Sequence, residues 1–67
     1  MAKGELYELA CQIIRETDNA VLIHDYASEE EIWIPLSQVE SMHKHGEMPC
    51  DGTIVMTAWI ARQKGLI

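Results

Sequence analysis

The chain reads as a small α+β domain. It predicts a twisted antiparallel sheet, a three-stranded meander plus a short fourth strand, with a C-terminal helix packed on it and the sheet curving toward a barrel. Three observations predict this. Two apolar runs flank the turn cluster Thr17-Asp18-Asn19, the pattern of a β-hairpin. Pro35 closes a third alternating run, and proline is tolerated only at a strand end or on a sheet edge. Thr57, a good helix-capping residue, precedes an apolar stretch that stops at Gly65.

The first run is ambiguous by itself. Leu6, Leu9, Ala10, Ile13 and Ile14 fit one face of a helix. Tyr7, Leu9, Cys11 and Ile13 also alternate with Glu8, Ala10 and Gln12, as a half-buried strand requires. The turn cluster and the run Val21-Leu22-Ile23 that follows favour a strand over residues 7–16.

A second strand is expected over residues 20–26 and a turn over 27–30. A third strand then covers 31–35, with Ile32 and Ile34 on one face and Trp33 on the other. Ser37 and Glu40 have capping-box spacing and predict one short helical turn. Residues 41–52, interrupted by Gly46, Pro49 and Gly52, read as a long loop.

Residues 53–56 supply the short fourth strand. The helix from Ala58 to Lys64 is too short to stand alone, so Trp59, Ile60 and Leu66 are expected to dock it on the sheet. Trp33 and Trp59 are the largest side chains available and are expected to fill the interior.

At 67 residues the chain allows one domain, 1–67. A domain this small buries a limited fraction of its surface and often gains stability from a partner subunit. Open strand edges point the same way, toward a homo-oligomer. The formal net charge is -6, and the bases Lys3, Arg15, Lys44, Arg62 and Lys64 are scattered. Nucleic-acid binding needs clustered Lys and Arg on phosphates, so direct binding of DNA or RNA is not expected. The same charge suits a basic protein surface. No signal-peptide pattern or spanning apolar run is read, so the expected location is the cytoplasm, with Cys11 and Cys50 reduced.

Two segments carry a resemblance. Ile32-Trp33-Ile34-Pro35-Leu36-Ser37-Gln38-Val39 and Thr57-Ala58-Trp59-Ile60-Ala61-Arg62-Gln63-Lys64-Gly65-Leu66 resemble a group of small phage and prophage proteins. Those proteins carry a Trp-Ile-Pro-x-Ser-Gln segment and a terminal Trp-Ile-Ala-x-x-Lys-Gly-Leu helix. The resemblance covers roughly the second half of the chain. It implies a phage setting, in the host cytoplasm, and carries over no catalytic residue.

Candidate chemistry is sparse. His43, His45 and Cys50, with Cys11 or His24 as a fourth, are the nearest approach to a zinc set. Their spacing matches no standard zinc motif, and no metal or other cofactor is assigned. Cys50 with His43 or His45 as base is the nearest approach to a nucleophile pair. It lacks an orienting third group and an oxyanion segment, so the chain is not expected to be an enzyme.

The binding residues singled out are Glu29, Glu30 and Glu31, an acidic contact for a partner's bases, and Met42, His43, His45 and Met48 of the long loop. The leading expectation is a non-enzymatic phage accessory protein that binds and inhibits a host protein of an anti-phage defence. An oligomeric sponge for a small signalling nucleotide is the second reading, with Arg15, Lys44 and Arg62 as phosphate donors. A zinc-stabilised structural module is the third.

Overall fold

A computed structural model describes residues 4–67; Lys3 lies outside the described residues. Five strands and one short helix follow in order: β1 (Leu6–Glu16), β2 (Ala20–Asp25), β3 (Glu30–Pro35), a 3-10 turn (Leu36–Gln38), β4 (Val39–Lys44), β5 (Cys50–Thr57) and α1 (Ala58–Gln63). The strands form one antiparallel sheet in the order β3-β2-β1-β5-β4.

The strand pattern of the first run prevails over the helical one. Cys11 and Ile13 on β1 are buried while Glu8 and Ala10 are exposed. Thr17 fastens the turn to β2: its hydroxyl accepts from the Asn19 and Ala20 amides at 3.3 and 3.1 Å. Asp25 does the same after β2. Its carboxylate accepts from the Ala27 amide at 3.3 Å and the Ser28 hydroxyl at 2.9 Å, which satisfies a side chain only 6% exposed. Glu29 completes this turn with φ of 59°, a left-handed conformation that non-glycine residues seldom adopt.

The chain crosses from one sheet edge to the other between Pro35 and Val39. In a flat sheet those edges lie four inter-strand gaps, about 19 Å, apart. Four Cα steps reach at most about 15 Å fully extended, and a 3-10 turn is much shorter. The sheet therefore curls until its edges approach. Curling also explains the core. Val21, Ile23 and Ile34 on the far strands are as fully buried as Ile13, Ile54 and Met56, although α1 has only six residues with which to cover the sheet.

The curl stops short of a barrel, since β3 and β4 do not pair. Backbone alternation shows which groups each edge leaves free. The Leu36 amide donates to the Asn19 carbonyl, so by alternation Ile34, Ile32 and Glu30 turn their backbone groups toward β2. Glu31 and Trp33, whose side chains face outward, hold the free groups of the β3 edge. On β4 the His45 amide donates to the Asp51 carbonyl, which leaves inward-facing Met42 and Lys44 with the free groups. Counted through the four antiparallel pairings, β3 and β4 run parallel to each other. The two edges leave free groups on residues of opposite faces.

Several expectations are corrected. The sheet has five strands rather than four, because residues 39–40 of the expected helical turn and 41–44 of the expected loop form β4, and the fourth strand expected over 53–56 is the longer β5. The 3-10 turn has Pro35 at its N-cap position and no side-chain cap, so Ser37 does not form a capping box. Neither tryptophan is core: Trp33 is 42% and Trp59 57% exposed. Isoleucines on the inner face occupy that space. Ile60 docks the helix and Leu66 packs beside the core, as expected.

Thr57 caps α1, accepting from the Ile60 amide at 3.2 Å while its hydroxyl donates to Gln38 at 2.8 Å. Gly65, with φ of 76°, ends the helix, and the Leu66 amide closes the motif on the Ala61 carbonyl.

Burial, with the Asp25 charge adding to it, raises the Cys11 thiol from 9.0 to about 11. A raised acid favours the fold in its protonated form, so its contribution is intact below pH 9.0. Between pH 9.0 and about 11 the unfolded chain ionises first, and stability falls by at most about 2–3 kcal/mol. Urea melts across that window are expected to show this loss, with a shallower slope for Cys11→Ala. An identical slope in the variant would show that Cys11 is not its source.

Candidate functional site

The inner face of the sheet is spent on the core, so any site lies on the outer face. Register places the residues there row by row. Glu31 on β3, His24 on β2, Gln12 on β1 and Asp51 on β5 form one row, which the His45 amide extends by donating to the Asp51 carbonyl at 3.0 Å. The next row runs Ala10, Thr53, His43, and the one after it Glu8, Val55, Ser41.

All three histidines of the chain thus share the outer face. The rings of His43 and His45 meet edge to face, with centroids 4.6 Å apart. His24 meets Tyr26 in the same way at 5.8 Å. The Tyr26 hydroxyl donates to the Asp51 carboxylate, straddling β1 to reach β5. That bond, then slight burial and the Asp51 charge, push the tyrosine up from 10.0 to about 12.

A shallow groove of about 470 Å³ opens on this face near the β4 edge. Glu8 contributes a carboxylate and Ser41 and Thr53 contribute hydroxyls; His43 and His45 form a wall. Val55 supplies apolar surface, and Met42 borders the groove although its side chain packs against the core. The volume falls within the range of ligand pockets, about 300–1,000 Å³.

The residues singled out from sequence separate into two places. Met42, His43 and His45 line the groove, while Met48 is exposed in the β4–β5 connection, beside a cis Met48–Pro49 bond. Glu29, Glu30 and Glu31 lie at the opposite sheet edge, on β3 and the turn before it. Glu8, Thr53 and Tyr26 were missed. Their signal is alternation: each lies on the outward parity of its run, legible only once the strand register is known.

The other chemistries do not assemble. Among the described residues no three His, Cys, Asp or Glu side chains group to hold a metal ion. Cys11 is buried on the inner face, away from His24 on the outer one. Both cysteines are free thiols, and the Cys50 thiol donates to the Gly46 carbonyl at 3.4 Å rather than to an imidazole.

None of Arg15, Lys44 and Arg62 lines the groove. Lys44 is ion-paired with Glu16 at 3.1 Å and Arg62 with Glu5 at 3.5 Å. Among the described residues no helix is long and apolar enough to cross a membrane. No family model, curated protein or solved structure matches the chain.

Proposed function

We propose that the chain is a non-enzymatic phage accessory protein that binds and inhibits a basic host protein of an anti-phage defence. The phage setting and the host cytoplasm come from the Trp-Ile-Pro and Trp-Ile-Ala segments. The observation that carries the binding role is the uncovered outer face of the sheet. Trp33 and Tyr26 are large and exposed there, and Glu31, Asp51 and Glu8 set carboxylates on the same face.

Exposed aromatics are the usual anchors of a protein interface. A carboxylate surround steers a basic partner and repels nucleic acid. Lys44 and Arg62 are each paired with one of the chain's own acids. The open β3 and β4 edges support self-association as a further part of this reading.

The test is capture from bacterial lysate with wild type and with a Trp33→Ala/Glu31→Lys double variant. The expected result is one basic host protein retained by wild type, lost by the variant, and inhibited at equimolar ratio once purified. Equal retention by both proteins, or a captured protein whose activity is untouched, overturns the reading.

A further inference from the structure

We propose that the groove between β1, β5 and β4 is an arginine-binding site, which receives one arginine side chain of the partner. The inference rests on the chain being a binder of a basic protein, and it names what that protein presents.

The groove's contents select the ligand. Glu8 is the carboxylate among its lining residues, and no Lys or Arg lines it, so it favours a cation over a phosphate or carboxylate. The hydroxyl of Ser41 on β4 stands in the same row as Glu8, and that of Thr53 on β5 in the next. A planar guanidinium carries five N–H donors, enough to engage a carboxylate through two of them and still reach hydroxyl acceptors.

The imidazoles of His43 and His45, 4.6 Å apart and locked edge to face, make an aromatic wall. Guanidinium stacks on such a surface, whereas a strongly hydrated ammonium gains less. Val55 supplies apolar surface for the methylene stem. Lysine satisfies the charge alone; arginine satisfies the charge, the hydroxyls and the wall.

The probes are acetyl-arginine-amide, acetyl-lysine-amide and acetyl-citrulline-amide, the last a neutral isostere of arginine. Each is titrated into the isolated protein and followed by NMR of the backbone amides and histidine rings. The expected result is saturable shifts from the arginine probe at His43, His45 and Thr53, with affinity on the order of millimolar. Lysine binds more weakly and citrulline does not saturate. Glu8→Gln weakens arginine about tenfold, while Asp18→Asn, the same charge change in the turn between β1 and β2, leaves it unaltered.

Equal shifts from arginine and lysine would reduce the site to unspecific charge and overturn the proposal. Shifts that follow Asp18 as strongly as Glu8 would do so too, as would the absence of saturable shifts. Host-protein capture is a separate readout. If capture succeeds while arginine fails to bind, the inference falls and the binding role stands.

Discussion

Replacing Ile54 by alanine is expected to cost about 2–5 kcal/mol, more than removing either tryptophan. Ile54 lies on β5, one strand in from the sheet edge, with Leu9 on β1 and Met42 on β4 as its cross-strand neighbours, and it is fully buried. Truncation removes methyl and methylene groups from a packed interior and leaves a cavity the neighbouring strands cannot close.

A domain of this size has roughly 3–10 kcal/mol of stability in total, so the variant is expected to be largely unfolded near 37 °C. Trp33→Ala, at a site 42% exposed, is expected to cost about 1 kcal/mol or less. Urea denaturation of both variants decides the matter. A larger loss for Trp33→Ala than for Ile54→Ala would mean that the tryptophan, not the isoleucine face, organises the interior.

Gly52→Ala is expected to destabilise by about 1–3 kcal/mol and to loosen β4 in particular. A Cβ at Gly52 would stand 2.5 Å from the His43 carbonyl oxygen and 2.5 Å from Ile13 Cδ1. The end of the Ile13 side chain can rotate away at the cost of a poorer rotamer. The His43 carbonyl belongs to the backbone of β4 and moves only if the strand moves. The glycine is therefore required by close approach of one strand to another.

Because His43 is displaced with its carbonyl, the variant is also expected to alter the groove. The contact between the His43 and His45 rings reports on it directly through their NMR signals. Wild-type stability together with unshifted histidine signals would show that β4 is not seated against this position.

Much of the fold is legible in the sequence where a side-chain pattern and a turn agree. Thr17-Asp18-Asn19 settles the first hairpin because its hydroxyl bonds are local. Pro35 and Gly65 are legible for the same reason, each fixing one backbone conformation. β4 is not legible. Its sequence Val39-Glu40-Ser41-Met42-His43-Lys44 has a register shift between Val39 and Ser41 that breaks the alternation.

The tryptophans mislead because size was taken for burial. Trp33 sits on the outward parity of an edge strand, where position and not hydrophobicity decides its exposure. Of the site, Met42, His43 and His45 are noticeable as unusual residues in a short segment. Glu8 joins them only through the pairing of β1 with β5, forty-odd residues away in sequence, and no local pattern encodes that pairing.

The free backbone groups of β3 and β4 set the geometry of any assembly built on the sheet edges. One copy's β3 and another copy's β4 cannot join as an antiparallel continuation of the same surface, only as a parallel one, whose ladder is slightly less stable per residue. Like edges remain compatible: Glu31 of one β3 strand can exchange backbone hydrogen bonds with Trp33 of a second, about a two-fold axis through Ile32. Such a contact uses up its edge when it forms. It also brings the acidic residues of both copies close together, so edge pairing is strongest where salt or a bound cation screens them.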